Sequence, residues 1–269
     1  MSFGFHSVRL PVLDAHNHLQ RFPDPDVIIA TMKSVGITGC VVNGTSEEDW
    51  PDVADLAERH PDFVHPAFGL HPWFAHQRSP QWLEKLSEYL DRFPSASIGE
   101  CGLDRWVEQP AIDVQLTAFL AQVRLARERQ LPLTIHALKA WGPLLEAFQQ
   151  EAPPARGFLL HSFGGSREIM ERLLPLGARF SFSGYFLQPR KAKALEVFRQ
   201  IPPDRLLLET DAPDMLPPEA SITHPLSEAR NHPANLPAIA EAFAAAISRE
   251  PTELIQESTK NTHSLLLFT

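Results

Sequence analysis

Residues 7–19 read SVRLPVLDAHNHL, an apolar run that closes on two histidines, His16 and His18, one residue apart. A strand turns residues i and i+2 to the same face, so a strand here aims both imidazoles one way, with Asp14 in the same phase. Two neutral imidazoles on one face are a grip for a transition metal. The same letters also fit a turn that carries two polar rings, and the stretch by itself does not choose. The rest of the chain does.

Seven further short β-rich runs follow, at 37–44 (ITGCVVNG), 63–70 (FVHPAFGL), 95–103 (SASIGECGL), 131–137 (LPLTIHA), 157–163 (GFLLHSF), 178–184 (ARFSFSG) and 205–211 (RLLLETD); the first run is 9–16. Between them lie stretches such as SPQWLEKLSEYLDRF and AIDVQLTAFLAQVRLARERQ, whose apolar residues recur every three or four positions as in a helix. Strands alternating with helices imply right-handed parallel crossovers. Eight units at roughly 30-residue intervals predict a closed (β/α)8 TIM barrel of the α/β class, one domain over 1–269. An open doubly wound sheet is the competitor, but no glycine-rich nucleotide loop follows the first strand. Proline pairs at 153–154, 202–203 and 217–218 fit connectors, and no linker divides the chain.

The chain has 269 residues, 43% of them hydrophobic, enough for a sizeable core. Its net charge of −9 excludes a global basic field that recruits nucleic acid, so an anionic substrate needs a local site. Cys40 and Cys101 lie inside apolar runs and read as reduced, buried thiols. The N-terminus lacks a signal-peptide pattern, and no run approaches the roughly 18 apolar residues of a membrane span. LPAIAEAFAAAI, interrupted by Glu241, reads as a packed helix. The expectation is a cytoplasmic protein with no membrane contact and no obligate protein partner.

Polar residues fall where the apolar runs stop. Run one ends in His16 and His18, run four in Glu100, run five in His136, run six in His161 and run eight in Asp211. In a barrel those strand ends share the face that carries chemistry. Taken singly, such a histidine is ordinarily a core-edge residue, and such a carboxylate often caps the next helix. Taken together, four imidazoles and two carboxylates in one cavity are costly to leave unpaired, and a metal removes the cost.

The segments DAHNHL, GLHP, GECGLD, IHA, HSFGGS, ETDAP and RNHPANL, in this order from residue 14 to beyond residue 230, resemble the successive signatures of the TatD-related metal-dependent hydrolases. The resemblance implies a (β/α)8 barrel with one to three divalent ions and, in several members, deoxyribonuclease activity. Carried over by motif, His16, His18 and Asp211 hold a first metal, His136 and His161 hold a second, and Glu100 bridges them. Two such ions activate a water and stabilise a departing oxygen, with Asp211 as general base beside the bridging Glu100. The imidazole-rich set suits zinc, manganese, iron, cobalt or nickel, with magnesium second because it prefers oxygen.

Secondary candidates surround this set. His71 in GLHP contacts substrate or the outer coordination sphere, or packs with Pro72 and Trp73. Asp104 orients a ligand or starts a loop. Arg230 and Asn231 fit the late motif, Arg230 as a substrate contact or, with Asn231, as structure beside strand eight. Trp73, Trp106 and Phe163 stack on a base or pack against loops. Members of the family commonly carry an arginine two residues after the strand-five histidine; here Leu138 stands there, followed by Lys139, a point charge rather than a bidentate fork. The expected activity is phosphodiester hydrolysis, on DNA or a small phosphodiester. The alternatives are hydrolysis of a small ester, lactone or amide on the same barrel, and a non-catalytic, metal-stabilised binding module.

Overall fold

A computed structural model describes residues 11–266. Eight strands form one parallel sheet in sequence order: β1 Val12–Asn17, β2 Ile37–Asn43, β3 Val64–Phe68, β4 Ser97–Asp104, β5 Leu133–Leu138, β6 Phe158–Leu160, β7 Ala178–Ser183 and β8 Leu206–Glu209. The ring closes between the segments that follow β8 and β1, where Asp211 N–H donates to His16 O at 3.0 Å and His18 N–H to Ala212 O at 2.8 Å. This is the expected TIM-like barrel. The first two residues of the first expected strand, 9 and 10, lie outside the described residues.

Among the described residues nine α-helices accompany the strands: α1 Pro25–Ser34, α2 Trp50–Arg59, α3 Trp82–Arg92, α4 Ile112–Arg129, α5 Trp141–Gln150, α6 Arg167–Leu173, α7 Ala192–Phe198, α8 Leu236–Ile247 and α9 Pro251–Leu266. Local chemistry starts several of them. Asp24 caps α1 by accepting from Val27 N–H, with Pro25 behind it, and Ser166 caps α6 by accepting from Ile169 N–H. LPAIAEAFAAAI is helix α8, as its pattern predicts. Among the described residues no helix is long and apolar enough to cross a membrane.

Period-two alternation divides β1, β2, β3, β6 and β8 between two cores. Val12, Cys40, Val42, Val64, Phe68, Phe158, Leu160, Leu206 and Leu208 belong to the large cluster that packs against the helices. Their neighbours Leu13, Ala15, Val41, Ala67, Leu159 and Leu207 form a second, smaller cluster with Leu265 and Leu266 of α9. Both faces of the sheet are thus buried, which is why the strands read as continuous apolar runs.

The register of two strand pairs is interrupted, and in each pair one shift sits at the polar residues. The β1–β2 register shifts between Asp14 and Asn17, around His16, and the β4–β5 register shifts between Ile98 and Cys101, around Glu100. Such irregularities re-aim a side chain relative to a regular pleat. The sequence reading needs correction here. β4 does not end at Glu100 but continues to Asp104, and His136 lies two residues before the end of β5. Gly102 lets β4 run on: its φ is 142°, and a Cβ there meets His136 O at 2.0 Å.

Candidate metal centre

The six predicted ligand residues converge at one end of the barrel, all but His136 nearly inaccessible to solvent. His16 Nε2 and His18 Nε2 stand 3.3 Å apart. Each is 3.5 Å from Asp211 Oδ1, and they lie 3.4 and 3.3 Å from Glu100 Oε2. Metal bonds of about 2.0–2.2 Å give a tetrahedron edges of roughly 3.3–3.6 Å, so the two nitrogens and Asp211 Oδ1 are spaced as ligands of one small cation, and Glu100 Oε2 stands at the same spacing from both nitrogens. The other carboxylate oxygen of the same residue, Glu100 Oε1, faces a second group. It lies 2.9 Å from His161 Nε2, 3.1 Å from His136 Nδ1 and 3.2 Å from His71 Nε2, and the first two nitrogens are 3.3 Å apart. One glutamate therefore presents one oxygen to each of two imidazole clusters.

Hydrogen bonds sort the imidazoles by tautomer. His18 Nδ1 faces the carbonyl of Asn43 at 2.8 Å, and His136 Nε2 faces Asp104 Oδ2 at 3.0 Å. An acceptor fixes the proton on that nitrogen and leaves a lone pair on the other, the one aimed into the cluster. His71 is wired the opposite way. Its Nδ1 accepts from Trp73 N–H at 3.2 Å, which puts its proton on Nε2, toward Glu100. Burial holds its pKa down at about 4 against the pull of Glu100, so the ring is neutral near pH 7. Although its Nε2 lies within ligand distance of Glu100 and His136, His71 is a donor to the carboxylate rather than a lone pair for an ion.

The electrostatics fit cations. Burial pushes the Glu100 carboxyl up, but the charge of His161 first, and then the bonds from His136 and His16, outweigh it and hold it well below the usual range. At Asp211 burial is again outweighed, first by the bond with His18. Conversely, burial pulls His18 down, yet its bonds with Asp211 and Glu100 hold it at about 10. Two ionised, desolvated carboxylates thus demand positive charge in a space small enough for an ion.

A supporting layer of carboxylates lies beneath. Asp14 does not join His16 and His18; the break in β1 directs it sideways, where it accepts from Thr210 N–H at 2.9 Å, Thr210 Oγ at 2.6 Å and Asn17 Nδ2 at 3.0 Å. Burial raises its pKa to about 7. Those bonds tie the segment bearing Asp211 to β1. Asp211 itself has φ 54°, and Ser162, next to His161, has φ 42°, left-handed values that cost energy in non-glycine residues and collect at functional sites. Glu209, which the sequence reading passed over as part of a strand, fixes the Ser162 turn. It accepts from Ser162 N–H at 2.6 Å, from Ser162 Oγ at 2.7 Å and from Ser181 Oγ, and lies 3.7 Å from His161 Nδ1. The signal for it was a buried carboxylate inside an apolar strand. Asn43, whose carbonyl orients His18, left no sequence signal at all, because the contact is made by backbone.

The clusters open on a cleft of about 480 Å³ lined by Arg21, Trp73, Leu138, Asp214 and Met215 among others. Some secondary candidates stand elsewhere. Arg230 is half-buried against the Phe22 ring and donates to Arg21 O, and Asn231 bonds Thr210 O, so both brace the loop after β8 rather than line the cleft. Lys139 is exposed outside the cleft, its ammonium 4.1 Å from the centre of the Trp106 ring. Phe163 is fully buried against Trp141, Phe180 and Phe198, which removes it as a stacking surface. Arg21, which the sequence reading did not select, lines the cleft and pairs with Asp214.

Comparison with known proteins agrees with this geometry. Residues 13–267 match the family model described as TatD related DNase. A protein of Erwinia billingiae named 3'-5' ssDNA/RNA exonuclease TatD is 33% identical over 245 residues, covering 90% of this chain and 92% of its own. The Escherichia coli K12 protein named uncharacterized metal-dependent hydrolase YjjV is 30% identical over 261 residues, covering 94% and 96%. The crystal structure of YjjV, a TatD homolog, superposes with a TM-score of 0.85 at 28% identity, over 95% of this chain and 97% of that one.

Proposed function

Because this chain belongs to the TatD-related DNase family, we propose that it is a metal-dependent nuclease that removes nucleotides from the end of a single DNA or RNA strand. The observation that carries the proposal is the divided Glu100 carboxylate, one oxygen for each of two ligand clusters. His16, His18 and Asp211 would hold one divalent ion, and His136 and His161 would hold another, with Glu100 shared between the two. The family model, the named exonuclease relatives and the spacing of the donor atoms support this reading. The nitrogen-rich donor set favours zinc, manganese, iron, cobalt or nickel over magnesium.

When bound, such ions supply Lewis acidity, lowering the pKa of water and neutralising charge on phosphoryl oxygens. The chain's own residues do the rest. Asp211, whose Oδ1 faces His16 and His18, takes the proton released by the attacking water. Its position is set by its backbone bond to His16 and by the Thr210–Asp14 bonds next to it. His71 Nε2–H holds the bridging carboxylate and offers a neutral donor beside the reacting centre. Asp104 and the Asn43 carbonyl keep His136 and His18 in the tautomers that leave a lone pair inward. The cleft, of about 480 Å³ and lined by Arg21, Asp214 and Trp73 among others, suits the end of a strand rather than a duplex.

Leu138, which lines the cleft where the family commonly has an arginine, supports the second reading, hydrolysis of a small carboxylic ester or lactone. One panel separates them. Apo protein reloaded with each metal in turn is given a 5'-labelled single-stranded oligonucleotide and a set of p-nitrophenyl esters and lactones. The nuclease reading predicts stepwise shortening from the 3' end, reduced roughly 10²–10⁴-fold in Asp211→Asn. Intact oligonucleotide alongside ester turnover overturns it in favour of the second reading.

A further inference from the structure

Four large hydrophobic side chains are exposed among the described residues: Val27, Trp73, Trp106 and Leu138. Three of the four stand together where β3, β4 and β5 reach the mouth of the barrel. Trp106 is 64% exposed, so it does not pack under a loop as an aromatic at a strand end ordinarily does. An exposed indole beside a catalytic cleft is a surface kept for a flat apolar partner.

The platform is built rather than incidental. Asp104 accepts at Oδ1 from Trp106 N–H at 2.6 Å and at Oδ2 from Trp73 Nε1–H at 2.7 Å. The same Oδ2 faces His136 Nε2 at 3.0 Å. One buried carboxylate therefore fixes the Trp73 indole and the Trp106 backbone against an imidazole of the candidate metal centre. Arg105 N–H bonds Leu138 O at 2.9 Å, extending the β4–β5 ladder so that Lys139 arrives over Trp106, 4.1 Å from the ring centre. Arg105 and Lys139 both reach solvent, giving this edge of a chain of net charge −9 two exposed cations, one of them over the Trp106 ring. Alternating aromatic faces and cations is the pattern that holds a single nucleic-acid strand, bases stacked and phosphates paired.

We propose that Trp106 and Lys139 form a nucleobase-binding subsite outside the reacting centre: Trp106 stacks a base of the bound strand, beyond the linkage being cut, on the ring face that Lys139 does not cover, and Lys139 pairs the phosphate of that nucleotide. The inference rests on the nuclease reading above and names where its substrate is held. Trp73, its indole N–H already committed to Asp104, forms the inner wall between this subsite and His136. Because the contact lies away from the broken bond, it adds to binding without altering the chemical step. Its loss therefore appears in KM rather than kcat, and only for substrates long enough to reach it.

The test compares the metal-loaded protein with its Trp106→Ala, Trp106→Phe and Lys139→Ala variants on two substrates. One is a single-stranded oligonucleotide, and the other is bis(p-nitrophenyl) phosphate, which has one linkage and no base. The expected result is a KM for the oligonucleotide raised roughly five- to hundredfold in Trp106→Ala, with kcat kept, the small diester unaffected and most of the loss restored in Trp106→Phe. Lys139→Ala raises the same KM more at low salt than at high salt. An unchanged oligonucleotide KM in Trp106→Ala overturns the subsite and leaves the nuclease reading standing. An equal loss on both substrates also overturns it, since that marks a structural role. Turnover of the diester but not of the oligonucleotide by the unaltered protein overturns both.

Discussion

Replacing Asp104 by Asn tests how the chain prepares His136 for a metal. The carboxylate serves three donors with two oxygens: Trp106 N–H on Oδ1, and Trp73 Nε1–H with the His136 ring nitrogen on Oδ2. Asn keeps the shape but offers one oxygen, so an amide N–H must face at least one of those donors. An unpaired buried donor costs roughly 1–3 kcal/mol of stability. The ionised partner that makes His136 a stronger ligand is lost as well, which weakens metal affinity by roughly 10–100-fold. The assay is chelator competition on the purified variant beside urea unfolding of the apo protein. Two ions are expected, only the one beside His136 bound more weakly in the variant, and apo stability lowered by about 2 kcal/mol. Unchanged affinity at both sites refutes the reasoning that Asp104 fixes the tautomer, whatever happens to stability.

Two further outcomes follow from the fold. His232, which accepts from Ala234 N–H at 2.9 Å, has its pKa pulled down to about 4 by burial and then by His224. Between pH 6.5 and 4 the unfolded chain takes up a proton that the native ring refuses, so stability is complete above pH 6.5 and falls as the pH drops. From pH 7.5 to pH 5, urea unfolding shows a loss about 1 kcal/mol larger than in His232→Asn, after discount for residual solvation; equal losses contradict this. Gly102→Ala sets a Cβ 2.0 Å from His136 O at φ 142° and destabilises by more than about 4 kcal/mol or prevents folding, whereas Gly142→Ala, in open space at the start of α5, is neutral or gains about 0.5 kcal/mol. Soluble yield and urea midpoints check the pair, and a tolerated Gly102→Ala contradicts the β4–β5 approach.

The barrel was legible because both faces of a parallel sheet are buried, so each strand announces itself as an unbroken apolar run. The candidate centre was legible for a related reason: a charged or imidazole side chain at the end of such a run has nowhere dry to go. Detail failed where the backbone departs from a regular pleat. Strict alternation put Asp14 beside His16 and His18, but the register shift in β1 sends it to Thr210. A strand end was placed at Glu100, because the sequence does not show that Gly102 lets β4 pass within touching distance of His136. His71 was left between substrate contact and outer sphere, and only the Trp73 N–H on its Nδ1 decides which nitrogen carries the proton. Glu209, with its turn-fixing bonds to Ser162, and the Asn43 carbonyl act through contacts between residues far apart in sequence, which no local pattern records.

The account turns on Glu100 dividing its two oxygens between two ions. Crystals of manganese-loaded protein, measured at the manganese absorption edge, test this directly. Two anomalous peaks roughly 3.5–4 Å apart are predicted, one beside His16, His18 and Asp211, the other beside His136 and His161, with Glu100 between. A single fully occupied peak, or two peaks of which Glu100 touches only one, contradicts it.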